Sequence, residues 1–133
     1  MIIDTSAILA ILKHEPLAED CLRALEFDPD HRISAATLLE ASLVVDNAPN
    51  PDFSSRFDEL LLQQAVTIEP VTESHARIAR IAHRRYGRGN DSKAKLNYGD
   101  CFAYALAREH NEPLLFVGDD FTHTDIRAAL DKG

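Results

Sequence analysis

Short apolar runs alternate with longer amphipathic ones along this chain, and acids stand where the first and last runs stop. That pattern constrains the fold more than any other feature. "MIID" opens the chain and reads as a short buried strand ending on Asp4. "HRISAA" at 31–36 and "VTIEPV" at 66–71 read as further strands. "PLLFVG" at 113–118 is a fourth, and its unbroken apolar run predicts burial on both faces. Between them lie segments with helical spacing: 5–15, 16–27, 36–47, 53–65, 72–87 and 98–111. Thr5 or Ser6 is placed to cap the first, and Pro16 suits the first turn of the second. Thr72 or Ser74 offers a start for the fifth, which carries an apolar stripe at Ile78, Ile81 and Ala82. "DDFTHTDIRAALDKG" is expected to close the chain as a loop and a short helix. Strands alternating with helices predict an α/β sandwich with a mainly parallel sheet, in a single domain over 1–133.

In such folds ligands bind beyond the carboxyl ends of the strands. Asp4 falls at the end of the first strand and Asp119 at the end of the last. Two more acids qualify. Glu40 has Ala36, Leu43 and Val44 one turn away, an apolar neighbourhood for a carboxylate. Asp100 stands in the first turn of "YGDCFAYALA". Each has a plain structural alternative: helix capping for Asp4, snorkelling for Glu40, a helix-dipole contact for Asp100, turn chemistry for Asp119 and Asp120. Taken together they point to one pocket. Carboxylates within ~4–6 Å of each other must protonate in part or share a cation. Oxygen ligands select a hard ion, Mg²⁺ or Mn²⁺. Such a site suits hydrolysis of phosphate esters, since the ion can activate water and stabilise phosphate charge.

The net charge of −8 argues against broad nucleic-acid binding, yet the basic residues are not evenly spread. "RRYGRGNDSKAKL" carries Arg84, Arg85, Arg88, Lys93 and Lys95 against Asp91 alone. This segment is either a solvated helix end and loop or an attractive rim for a polyanion. Tyr86 and Tyr98 flank it, and either pack on the body of the protein or stack on unpaired bases. Cys21 and Cys101 have no metal-type spacing and read as buried free thiols. The six histidines show no zinc-ligand spacing, and there is no nucleophile elbow or phosphate-binding glycine loop. No apolar run approaches the ~18 residues of a membrane span, and the start lacks the marks of a secretory signal, so a cytoplasmic protein with no membrane contact is expected.

The pieces "MIIDTSAILAIL", "SAATLLEASLV", "LNYGDCFAYALA" and "LLFVGDDFTHTDI" come in an order that resembles the PIN-domain ribonucleases, and within them the VapC-type toxins of bacterial toxin–antitoxin pairs. The resemblance covers the chain almost end to end. It implies a PIN-like α/β/α sandwich and a metal-dependent endoribonuclease that cuts structured RNA, tRNA or rRNA, and halts translation. It makes Asp4, Glu40, Asp100 and Asp119 the acids of the Mg²⁺ or Mn²⁺ site, with Asp4 and Asp100 nearest the ion. Ser6 becomes the supporting hydroxyl, and Asp120, beside Asp119, competes for the fourth place. Arg84, Arg85, Arg88, Lys93 and Lys95 become the RNA-binding rim. A homodimer and a small VapB-type antitoxin are the implied partners.

Three other readings are weaker. A haloacid-dehalogenase-type phosphatase needs a second Asp two residues after Asp4, where Ser6 stands. A response-regulator receiver needs a lysine after its last strand region, and "FVGDDF" has none. A non-catalytic PIN-like module that only grips RNA or protein would be marked by lost acids, and all four positions are acidic.

Overall fold

A computed structural model describes residues 1–89 and 93–130. Along the chain it runs β1 (Ile2–Ile3), α1 (Thr5–Leu12), α2 (Ala18–Phe27), β2 (Arg32–Ser34), α3 (Ala35–Asp46), α4 (Asp52–Gln63), β3 (Thr67–Glu69), α5 (Glu73–Tyr86), α6 (Tyr98–His110) and β4 (Leu114–Leu115). The strands form one sheet in the order β3-β2-β1-β4, and every pairing is parallel. Ile2 pairs with Arg32 on one side and Leu114 on the other. This is the parallel sheet with flanking helices that the alternation predicts. Among the described residues no helix is long and apolar enough to cross a membrane.

Period-two geometry splits the core. Ile3 and Leu115 point to one face, where they join Ile8, Leu25, Ile33 and Phe57. Ile2 and Leu114 point to the other, with Leu96, Leu106, Phe116 and Phe121. Helices therefore cover both faces, and a strand of only two residues is held from each side. Cys21 and Cys101 are buried free thiols, as expected.

Three local expectations change. The α1 cap falls to Asp4, the capping alternative open at that residue, and not to Thr5 or Ser6, because its backbone is extended and its side chain accepts the Ser6 N–H. Pro16 lies in the turn before α2, which starts at Ala18. The tail is the largest difference. Turns fill 119–125 and no helix follows among the described residues. Instead Ala128 bridges Leu114 in parallel, with Leu114 N–H donating to the Arg127 carbonyl and Ala129 N–H to the Leu114 carbonyl, both at 2.9 Å. An exposed β4 edge would leave backbone groups unpaired, and the returning chain satisfies them. Ile126 packs on one core cluster, Ala129 and Leu130 on the other.

Candidate active site

The site is built where strands hand over to helices at their carboxyl ends. β1 stops after two residues, and Asp4 turns the chain into α1. Its Oδ2 accepts the Ser6 N–H at 3.1 Å and the Ser6 hydroxyl at 2.6 Å. The Ser6 Oγ in turn accepts the Val117 N–H at 3.0 Å, just beyond β4. One serine thus ties the carboxylate of the central strand to the segment that leads to Asp119 and Asp120. Asp4 is 4% exposed, and burial lifts its carboxyl to about pH 6, against the pull of the Ser6 bonds, with Glu40 adding repulsion.

Asp100 comes from the other side. Asn97 and Asp100 form a capping box at the start of α6: Asp100 N–H donates to Asn97 Oδ1 at 2.9 Å and Asn97 N–H to Asp100 Oδ2 at 3.1 Å. The box locks the rotamer of Asp100, which is 8% exposed. Desolvation raises its carboxyl to about 7, and the charges of Asp4, Asp120 and Glu40 push the same way. Burial and neighbouring carboxylates thus raise both acids, as happens where carboxylates gather in one pocket.

Glu40 reaches this pocket, but not for the reason its neighbours suggest. Leu43 and Val44 are exposed, and the buried face of α3 is Thr37, Ala41 and Val45. What turns Glu40 inward is the hydroxyl of Thr5, which donates to its Oε1 at 2.7 Å. On the far side a Cβ at Gly99 would lie 1.9 Å from Glu40 Oε2. Gly99 is therefore the space into which the carboxylate fits. Thr5 and Gly99 thus position Glu40, and neither stands out in the sequence as a partner of that carboxylate. The sequence signal for Gly99 is a glycine, a poor helix former, placed inside a helical segment.

Asp119 and Asp120 stand in the turn after β4. Gly118 has φ +96°, a conformation that L side chains rarely adopt, and it swings the chain out of the sheet. Both Asp119 and Asp120 are exposed, and it is Asp120 whose charge contributes to the field at Asp100. Asp119 uses its backbone carbonyl to close the turn, accepting the Thr122 N–H.

Of the basic rim, Arg84 and Arg85 stand exposed in the last turn of α5, and the Arg85 guanidinium lies 5.1 Å from the Tyr86 ring centroid. Arg88, Lys93 and Lys95 are exposed too, while Ala94 and Leu96 are buried and anchor the loop. A parallel bridge between Gly87 and Leu96 closes it. Asp91, with residues 90 and 92, lies outside the described residues. The flanking tyrosines divide: Tyr86 packs against Tyr104, and Tyr98 projects into solvent.

Among the described residues no three His, Cys, Asp or Glu side chains stand together as a ready metal cage. Mg²⁺ does not need one. It keeps several waters and takes one or two carboxylates directly. Asp4 and Asp100 would supply that number, and a divalent cation beside them would favour their charged forms.

A parallel sheet with buried acids at its carboxyl end, on this order of helices, defines a class, and comparison with known proteins names it. The model of the PIN domain family matches residues 1–127, and the chain belongs to that family, within it to the VapC-type ribonuclease toxins. It is 47% identical over 132 residues to "Ribonuclease VapC28" of Mycobacterium tuberculosis (strain ATCC 25618 / H37Rv), covering 99% of both chains. Among solved structures, Mycobacterium tuberculosis VapC20, described as a sarcin-ricin loop cleaving toxin, shares the fold at TM-score 0.74 and 16% identity, over 94% of this chain and 95% of that one. A toxin–antitoxin complex from Klebsiella pneumoniae does so at 0.69 and 18%, over 93% and 92%.

Proposed function

We propose that this protein is a divalent-metal-dependent endoribonuclease that hydrolyses structured RNA, tRNA or rRNA, and so inhibits translation as the toxin of a VapBC pair in the cytoplasm. One observation carries the reading: burial raises the carboxyl of Asp4, at the end of β1, to about 6 and that of Asp100, in the first turn of α6, to about 7, with Glu40 adding to the first and Asp4, Asp120 and Glu40 adding to the second. These two residues would hold Mg²⁺ or Mn²⁺, and the bound ion would supply a water of lowered pKa and neutralise charge developing on the phosphate.

The chain's own residues do the rest. The Ser6 hydroxyl fixes the Asp4 carboxylate. The Asn97 box fixes Asp100. Glu40, clamped by Thr5, and an acid of the 119–120 pair complete the pocket and accept hydrogen bonds from waters there. We assign that fourth place to Asp120, whose charge Asp100 feels, with Asp119 as its neighbour in the turn. Arg84, Arg85, Arg88, Lys93 and Lys95 hold RNA phosphates beside an acidic pocket that would otherwise repel them. An antitoxin would silence the same pocket by placing a basic side chain among the acids. The outward row of Leu39 and Leu43 on α3 suits the homodimer contact.

The test is cleavage of total cellular RNA by purified, antitoxin-free protein in Mg²⁺, Mn²⁺ or EDTA, beside Asp4→Asn and Asp100→Asn. Discrete fragments that vanish with EDTA and with either variant are expected. Wild-type rates from a folded Asp4→Asn protein would overturn the site. Binding of RNA without cleavage under any metal would favour a non-catalytic PIN-like module.

A further inference from the structure

We propose that Tyr104 is a positioning residue for the active site: through Asp125, its hydroxyl holds the turn that carries Asp120. The inference rests on the ribonuclease reading and adds to it that α6 sets two acids of the pocket, Asp100 directly and Asp120 through this link. Asp4 and Asp100 are each fixed by a near neighbour in the chain, Ser6 and Asn97. Asp120 stands exposed on a turn, so its place depends on what holds that turn.

The turn is stiff and is seated at two points. The Asp119 carbonyl accepts the Thr122 N–H at 3.1 Å. The Phe121 carbonyl accepts the Thr124 N–H at 3.1 Å and the Thr124 hydroxyl at 2.7 Å, and Thr124 Oγ1 accepts the Ile126 N–H at 3.3 Å. These overlapping bonds make 119–126 one unit, so a shift at one end moves the other. Phe121 seats the unit in the core, its ring centroid 5.2 Å from that of Phe116. Asp125 seats it on α6: its carboxylate accepts the Tyr104 hydroxyl at 2.6 Å, with Arg108 at 3.7 Å. Ring packing allows sliding, whereas a hydrogen bond is directional and fixes the register.

Asp100, Tyr104 and Arg108 are spaced by four residues along α6 and form one stripe. Four residues rise about 6 Å, so acid and hydroxyl belong to one rigid element. Tyr104 is 4% exposed, and a tyrosine buried that far needs a partner for its hydroxyl. Burial, with the Asp125 carboxylate adding to it, pushes that hydroxyl above its ordinary range, so it stays protonated and donates. The unit it seats brings the charge of Asp120 to bear on Asp100, one turn back along the same helix.

The experiment compares the full chain with Tyr104→Phe, which removes only the hydroxyl, and with Asp125→Ala, Asp125→Asn and Asp120→Asn. Three quantities are read: the initial rate of cleavage of total cellular RNA in Mg²⁺, the affinity for Mn²⁺ alone by electron paramagnetic resonance, and amide exchange at Thr122. Tyr104→Phe and Asp125→Ala should each lose about tenfold in rate, bind Mn²⁺ more weakly and exchange Thr122 faster. Asp125→Asn keeps an acceptor for the hydroxyl and should stay within about twofold of wild type. On an Asp120→Asn background, Tyr104→Phe should change rate and Mn²⁺ affinity no further, because the group it positions is gone. Melting temperatures check that each variant is folded, and if Tyr104→Phe is not, Asp125→Ala takes its place in the double variant. Losses that multiply with Asp120→Asn would overturn the link, since Tyr104 would then act elsewhere. Unchanged rate, Mn²⁺ affinity and Thr122 exchange in Tyr104→Phe and Asp125→Ala would overturn it too. If wild type cuts no RNA, the nuclease reading falls, and Mn²⁺ affinity and Thr122 exchange still decide whether Tyr104 holds the turn.

Discussion

The two ends of the sheet handle charge in opposite ways. At the amino end the Met1 ammonium is buried, and it is met by Glu112 Oε2 at 2.9 Å, Asp28 Oδ2 at 3.4 Å and the Asp30 carbonyl at 3.1 Å. Arg32 nearby pairs with Glu69 at 2.6 Å and Asp30 at 3.6 Å. Each acid there has a cation. At the carboxyl end burial raises the carboxyls of Asp4 and Asp100, and neighbouring acids add to it, Glu40 at Asp4 and Asp4, Asp120 and Glu40 at Asp100. The first arrangement stabilises the fold. The second gathers like charge around two buried carboxyls, and that asymmetry is what the proposed function rests on.

The sharpest way to break this comparison is to neutralise one acid at the carboxyl end. Asp4→Asn or Asp100→Asn should reduce RNA cleavage by about 10²–10³-fold, while thermal melting at pH 8 shows no loss of stability. A destabilised variant would mean these acids are structural after all. Next in size is Gly99→Ala, whose methyl would collide with Glu40. It should cost about 10–100-fold in cleavage by displacing that carboxylate, with the chain still folded by circular dichroism.

At the amino end the effects should reverse. Glu112→Gln removes one partner of the Met1 ammonium and should cost about 1–2 kcal/mol in urea denaturation, with cleavage per folded molecule unchanged. A drop in specific activity there would blur the distinction between the ends. The smallest effect concerns pH. The folded-state carboxyls of Asp4 and Asp100 lie near 6 and 7, above the ~3.9 of an unfolded aspartate. The folded chain therefore binds more protons than the unfolded one across that window. Their ionisation opposes folding, fully above about 7 and not at all below about 4. In EDTA the melting temperature should rise by a few degrees between pH 8 and pH 5 relative to Asp4→Asn. Mn²⁺ at pH 8 should recover a similar gain in wild type only.

Local rules made much of the site legible in the sequence. Asp4 follows the apolar run of β1, and Asp100 falls three residues after Asn97, so both are set by where an element starts. The apolar neighbours that single out Glu40 in the sequence, Leu43 and Val44, lie exposed, and its carboxylate is held instead by Thr5 and Gly99, which are 35 residues before it and 59 after it. The roles of Asp119 and Asp120 hang on the direction of one turn at Gly118. Tyr86 and Tyr98 look alike as neighbours of a basic segment and differ only in what packs on them.

The sequence by itself determined the alternation of strands and helices, the parallel sheet, and the two acids at element starts, because hydrophobic period and capping act over a few residues. Tertiary structure alone decided that the tail returns to the β4 edge, that Glu40 turns inward, that the charge of Asp120 reaches Asp100, and that Tyr98 is left exposed. Each of those depends on contacts between segments far apart in the chain, where an unpaired backbone edge, a missing Cβ or a distant hydroxyl outweighs local preference.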